Sequence, residues 1–342
     1  MNEHRSILKE TVERLFADLA ADRTADPRAS WHAIEELGLP GLLQPQEAEG
    51  FGGDWEDAGT VFKASAIHRL EIPVSETILA RSWLAGLSLK SPEGMGGFLL
   101  HSVDPAGPAG LERMLTAGKL DWVLALGDKS WRLVDLKEFG STSNGTRPSR
   151  AELISKDLGA ALIAEGPLDG GPQDHAHQAA LMRACQMAGA IEAMVALAIE
   201  YTRDRQQFGR SLSSFQAIQH QLALAMEENA AASCAAASAC QAMALGEAAF
   251  EVAAAKWRVG KAADRVFDIA HQVHGAIGFT REYDLHEFSL RAQEWRRDFG
   301  NEGYWAREMA RAVLSNRPKP LWHFLTARHD AILAAERAGA GT

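Results

Sequence analysis

The 342-residue chain has little of what marks a secreted, membrane-spanning or nucleic-acid-binding protein. Its three cysteines, Cys185, Cys234 and Cys240, are odd in number and sit in alanine-rich surroundings. That usage speaks against a disulfide framework or a metal site and predicts small, buried apolar residues in a reducing compartment. Lysine and arginine total 35 against 45 aspartates and glutamates, the formal net charge is -10, and no basic run occurs. Nucleic acid and anionic membrane surfaces are therefore not expected as partners. No apolar run reaches the roughly 20 residues that span a bilayer. The opening MNEHRSILKETVERLF is amphipathic and carries acids, unlike a secretory signal or a transit peptide. These absences predict a cytoplasmic protein, and the length allows two or three domains around a large core.

Helical periodicity dominates what is present. Ile7, Val12, Leu15, Phe16 and Leu19 form one apolar stripe, Trp31 to Leu39 reads as a short helix, and Asp54 to Leu89 continues the pattern with a break at Pro73. The glycines between Gly50 and Gly53 read as a turn. From Ser91 to about Pro172 the helical period fades, glycine, proline and serine become frequent, and β-like runs appear at Trp122–Leu126, Trp131–Val134 and Ala160–Ile163. From Asp174 the chain is helical again, with three long segments before Gly275, then Glu287 to Leu314, prolines at 318 and 320, and Leu321 to Ala338. The alanine-rich run from Ala230 to Ala255 suits close helix packing in a four-helix bundle. The fold class is α+β, mostly α: an N-terminal helical domain (1–92), a small middle β domain (93–172) and a C-terminal bundle domain (173–342).

The stretch Tyr201–Met226 joins two of these helices. Leu181, Ala184, Ala188, Ile191, Val195 and Ala198 keep helical spacing before it, Gly209 permits a turn, and Ser213 or Ser214 is placed to N-cap a helix restarting near Gln216. Arg203 and Arg205 fall at a helix C-terminus, where their charge complements the dipole. Arg205, Gln207, Phe208 and Gly209, with Gln216 and His220 downstream, read R-x-x-F-G followed by F-Q-x-x-x-H. A second stretch, Gln272 to Tyr283, reads Q-x-x-G-A-x-G-F-x-x-E-Y.

Together these motifs resemble those of the acyl-CoA dehydrogenases. The resemblance extends to Trp31 with Glu36–Leu39 and to the Gly-rich Pro45–Gly53. It implies an acyl-CoA dehydrogenase-like fold and α,β-dehydrogenation of an acyl-CoA thioester, in which a carboxylate takes the α-proton and flavin takes the β-hydride. The cofactor is FAD, shared across a subunit interface, and an electron-transfer flavoprotein is the implied acceptor. By resemblance Arg205 neutralises the pyrophosphate, Gln207 completes the arginine motif, Phe208 packs on the cofactor and Gln216 bonds it. Gln272, Gly275 and Ala276 offer a closely approaching backbone, with Ala276 standing where the family has its second glycine.

Two features depart from the family. The A-x-T-E-P-x-x-G-S-D segment, which binds the flavin ring, is missing from the shortened middle region. The catalytic glutamate is also in question. With Ala310-Arg311 in gap-free register, Phe299-Gly300 occupies its place and no base remains; a three-residue insertion puts Glu302-Gly303 there instead. The family's alternative position on the first bundle helix falls near Ala179 and Ala180. The chain thus resembles the shortened subunit of the bacterial heterotetrameric (α2β2) steroid-degrading acyl-CoA dehydrogenases, working with a second dehydrogenase subunit on a bulky acyl-CoA. A self-sufficient homotetramer with Glu302 as base and a non-catalytic scaffold are the alternatives. Phe208 and Phe215 are alternatively core residues, His220 and His274 are expected in the interior or at an interface, and Gln272 with Gly275 alternatively forms a plain helix C-cap. Glu294, Arg296, Arg297 and Asp298 read as a solvated or interface charge cluster, and Trp295 and Trp305 as lining an acyl pocket or an interface.

Overall fold

The computed structural model describes residues 3–22, 26–48, 50–100, 120–137, 161–169, 173–246, 248–315, 320–328 and 330. Four helices come first: α1 (Glu3–Ala21), α2 (Pro27–Glu36), α3 (Trp55–Ile67) and α4 (Val74–Gly86). Helix α2 starts earlier than periodicity indicates, because the Asp26 carboxylate accepts the Arg28 N–H at 3.0 Å and Pro27 opens the first turn. It also stops short of Leu39, since Gly38 turns left-handed. The following glycine cluster is a self-tied turn, with Gly50, Gly52 and Gly53 donating to the carbonyls of Pro45, Gln44 and Leu42. Asp54 and Asp57 form a reciprocal capping box at the start of α3.

A four-stranded sheet follows: β1 (Gly96–Leu100), β2 (Trp122–Leu126), β3 (Ser130–Asp135) and β4 (Leu162–Pro167), in that spatial order. β1 and β2 pair in parallel, the other pairs antiparallel. Strand β1, Gly-Gly-Phe-Leu-Leu, lies outside the three β-like runs that the sequence shows. It is fixed by α4, whose Thr77 hydroxyl donates to the Gly96 carbonyl at 2.8 Å and accepts from the Gly96 N–H at 3.1 Å. The residue Ala160 of the third expected run lies outside the described residues.

The bundle comprises α5 (Gln173–Asp204), α6 (Gln216–Ala244) and α7 (Ala249–His274), followed by α8 (Leu285–Trp295) and α9 (Glu302–Ser315). Residues 321–328 form one more helical segment; those from 331 to 338 lie outside the described residues. Helix α5 is apolar and long enough to cross a membrane, yet 78% of its most apolar stretch is buried inside the fold, which makes it the core helix. The expected continuous segment from Glu287 to Leu314 is two helices, broken where Phe299 and Gly300 both take positive φ, 58° and 99°. Cys185 and Cys240 are buried with sulfurs 3.6 Å apart, whereas Cys234 is exposed on α6, contrary to expectation.

Close helix approach rests on small residues. A Cβ placed on Gly189 of α5 would lie 2.3 Å from the Lys63 carbonyl oxygen of α3, a rigid backbone atom, while a Cβ on Gly86 of α4 would meet nothing. Gly189→Ala is therefore expected to destabilise the fold by about 1–3 kcal/mol through overpacking. Gly86→Ala should instead be neutral or stabilising by up to about 1 kcal/mol. Thermal unfolding of the two variants reads the contrast.

Candidate functional site

The arginine elbow is built from the last turn of α5 outward. Arg205 donates its N–H to the Tyr201 carbonyl at 2.9 Å and accepts the Leu212 N–H at 2.9 Å. Gln206–Gln207 then pairs with Arg210–Ser211 as a short hairpin. Its two tip residues, Phe208 (φ 55°) and Gly209 (φ 80°), are both left-handed, as a two-residue hairpin turn requires. Glycine adopts this freely; phenylalanine does so at a cost on the order of 1 kcal/mol. The Phe208 ring is nonetheless 91% exposed, which overturns its reading as a core residue. Phe215 is half-buried, meets Phe208 edge-on at 6.2 Å and carries the Arg210 guanidinium 4.0 Å above its ring. Neither Ser213 nor Ser214 caps α6. The N-cap is Phe215 without a side-chain bond, because the Ser214 hydroxyl is committed to the Ser211 carbonyl at 2.7 Å. Arg205, Gln207, Gln216 and His220 all lie exposed on the surface of this chain.

The second motif terminates α7. Gly275 (φ 66°) donates to the His271 carbonyl and turns the chain into the short 3-10 helix Gly275–Phe279. Gln272, Gly275 and Ala276 are exposed, and nothing lies within 4 Å of a Cβ built on Gly275. The C-cap and the open backbone are thus one feature. His271 and His274 face inward instead: His271 Nε2 lies 3.0 Å from the Ser289 hydroxyl, and His274 Nδ1 is 2.7 Å from the Ala270 carbonyl. Burial depresses both imidazole pKa values below the usual histidine range. Tyr201 of α5 stacks on His274 of α7 at 4.5 Å, so the two helices end together. With α6 running back between them, the elbow, Gln216 and the Gly275 loop share one end of the bundle.

This end fits a phosphate-rich dinucleotide. An exposed guanidinium, three exposed amides, an exposed aromatic ring and an open backbone turn supply charge, hydrogen bonds and a stacking face, and none is spent on the chain's own core.

The turn at Asp298–Glu302 is different in character. Asp298 is fully buried, so the cluster is not solvated as its sequence suggests. Its carboxylate accepts from Arg183 Nε of α5 at 2.9 Å, and Arg183 Nη1 donates to Glu76 of α4 at 2.6 Å and to Gln186 at 2.5 Å. The guanidinium lies over Trp295 (5.6 Å) and Phe299 (5.9 Å), and Phe299 stacks on Phe98 of β1 at 5.7 Å. Trp295 and Trp305 are buried in this core, with Trp305 Nε1 donating to the Gly300 carbonyl at 3.1 Å. Ala179 and Ala180 are buried too and carry no acid. Glu302 opens α9 and accepts from Arg296 Nε at 2.7 Å, and its carboxylate fills the space left by Gly260, where a Cβ would come within 2.4 Å. Lys256 completes the turn, donating to the carbonyls of Trp295 (2.9 Å), Arg296 (3.1 Å) and Gly300 (3.2 Å). Burial lowers its pKa to about 7 against the pull of Asp298 and Glu302.

A cavity of about 750 Å³ opens at the other end of the bundle, where His177 and Gln178 of α5, Met243 of α6 and Phe250 of α7 meet Phe324 and Arg328. It is remote from both motifs.

An N-terminal helical group, a small four-stranded sheet and a C-terminal helical bundle are together the arrangement of an acyl-CoA dehydrogenase-like fold. The acyl-CoA dehydrogenase C-terminal domain profile matches residues 173–314. The chain is 31% identical over 306 residues to the acyl-CoA dehydrogenase IpdE2 of Mycobacterium tuberculosis, covering 85% of this chain and 91% of that protein. It belongs to the acyl-CoA dehydrogenase family, whose members are FAD-dependent oxidoreductases acting on CH–CH bonds. In fold it is similar to a chain of the ChsE4-ChsE5 complex from Mycobacterium tuberculosis, with a TM-score of 0.73 at 18% identity over 93% of this chain and 99% of that one. It is also similar to a variant of the Tcur3481-Tcur3483 steroid ACAD, with a TM-score of 0.69 at 19% identity and the same coverage.

Lys256 gives a pH signature. From about pH 7 to the usual lysine value of 10.5 the unfolded chain binds more protons at this position than the folded one, so folding stability rises with pH. Between pH 7 and 9 this contributes about 2 kcal/mol in wild type and nothing in Lys256→Met. Urea unfolding of both proteins at the two pH values checks the difference.

Proposed function

We propose that this chain is the non-catalytic subunit of an FAD-dependent acyl-CoA dehydrogenase complex, α2β2 in composition, and that it completes the cofactor site of a second dehydrogenase subunit. The observation that carries this reading is a contrast within the chain. The turn in register with the family's catalytic glutamate holds a buried Phe299, while the elbow and the Gly275 loop direct their donors outward. Binding groups that face away from the chain's own core are placed to meet an occupant held by another chain.

In this reading Arg205 neutralises the pyrophosphate, Gln207, Gln216 and Gln272 hydrogen-bond it, and Gly275 and Ala276 let the backbone approach. Phe208 offers its face to the adenosine end. Bound FAD supplies the hydride acceptor, and its isoalloxazine ring belongs to the neighbouring subunit. The expected units 1–92, 93–172 and 173–342 suit this division of labour: the shortened middle unit lacks the ring-binding segment, and the last unit retains the half-site. The substrate is a bulky, steroid-derived acyl-CoA, a choice supported by the steroid ACAD among the structural neighbours, and a cytoplasmic electron-transfer flavoprotein accepts the electrons.

Glu302 is not the base in this account. Its carboxylate is committed to the Arg296 guanidinium at 2.7 Å and packs against Gly260 of α7. In the complex, Glu302→Gln should leave turnover within about twofold of wild type; a fall beyond about a hundredfold would make Glu302 the base and the chain self-sufficient. Arg205→Ala should weaken FAD binding by about ten- to a hundredfold through loss of a charged phosphate contact. Unchanged flavin content in that variant would remove Arg205 from the site and favour a scaffold role.

A further inference from the structure

The residues assigned to the dinucleotide come from two segments far apart in sequence, and they serve one ligand only if their separation is fixed. Three rings lie at the junction. Tyr201 sits one helical turn before Arg205 and accepts its N–H at the backbone, so the residue bearing the ring is tied directly to the one bearing the guanidinium. His274 immediately precedes Gly275, and Tyr283 closes the second motif. Tyr201 stacks on His274 at 4.5 Å with 25° between planes, Tyr283 meets Tyr201 edge-on at 5.9 Å, and Tyr283 leans on His274 at 4.9 Å. The imidazole is buried and its Nδ1 is anchored on the Ala270 carbonyl, so the ring cannot swing. None of the three residues is among those assigned to touch the cofactor.

We propose that the Tyr201–His274–Tyr283 ring cluster is a positioning device that sets the distance between the Arg205 elbow and the Gln272–Ala276 loop. This inference rests on the half-site reading above. Aromatic pairs of this kind hold a preferred offset rather than merely filling space. A pyrophosphate gripped by both segments penalises displacement of either one, and errors near 1 Å are costly in such sites. The middle of α5 is buried independently of its last turn, so removing the Tyr201 ring frees the elbow without dissolving the bundle.

The test uses the complex with the co-expressed dehydrogenase partner, stripped of flavin and titrated with FAD by fluorescence quenching. Tyr201→Leu should raise the Kd for FAD by about tenfold with the complex assembled and its secondary structure intact, while Tyr201→Phe stays within about twofold because the ring remains. Wild-type affinity in Tyr201→Leu beside weakened binding in Arg205→Ala overturns the positioning role and leaves the half-site standing. Equal weakening in Tyr201→Phe and Tyr201→Leu also overturns it, since the hydroxyl and not the stack would then matter. No effect from either Tyr201→Leu or Arg205→Ala brings down the half-site reading itself. Should Tyr201→Leu fail to assemble, Tyr283→Leu probes the same cluster from its outer edge, and wild-type FAD affinity there counts against the proposal.

Discussion

The structure hangs on one buried charge. Arg183 lies in the first third of the core helix with no exposed surface, so its guanidinium must be balanced from within the protein. Glu76 supplies one carboxylate from the N-terminal helices and Asp298 the other from the turn between α8 and α9. Three regions distant in sequence are thereby pinned to one point, with Trp295 and Phe299 closing over it. Removing one member of such a cluster strands an uncompensated charge and typically costs 3–5 kcal/mol. Phe299 packs over the guanidinium and against Phe98, so the space at this turn is filled by the protein itself.

The end of the bundle has the opposite economy. There the chain accepts a strained, almost fully exposed phenylalanine at Phe208 and leaves arginine and glutamine side chains facing outward. Exposed aromatics and strained backbone are retained where a ligand or partner engages them. A closed interior and an open end make sense in one molecule if catalysis has passed to a partner while cofactor binding remains shared. The Tyr201–His274 contact joins the two regimes, since His274 is buried while the half-buried Tyr201 sits directly behind the outward-facing motifs.

Much of this was legible in the sequence. Three-to-four-residue periodicity located α5, α6 and α7, and the two motifs marked the elbow and the Gly275 loop because each needs particular residues at fixed spacing. What escaped was set by contacts between distant residues. Arg296-Arg297-Asp298 looks like any solvated run of charges, and only the apposition of Arg183 shows that Asp298 is buried while Arg297 is not. The break between α8 and α9 was hidden because the lysine that caps it, Lys256, lies on α7. Strand β1 is too short and too rich in glycine to announce itself, and depends on Thr77 for its anchorage. Cys234 stands exposed because an alanine-rich helix such as α6 carries small residues on its outer face as well as its inner one.

The most direct test of the shared-site account is the ratio of flavin to protein, read from the flavin absorbance after denaturation. It should be measured for the chain purified alone and again after co-expression with its dehydrogenase partner. The account predicts a colourless chain that becomes part of a yellow complex with about one FAD for every two chains. One tightly bound FAD per chain in the absence of any partner would contradict it, because the chain would then hold the isoalloxazine ring as well as the phosphates.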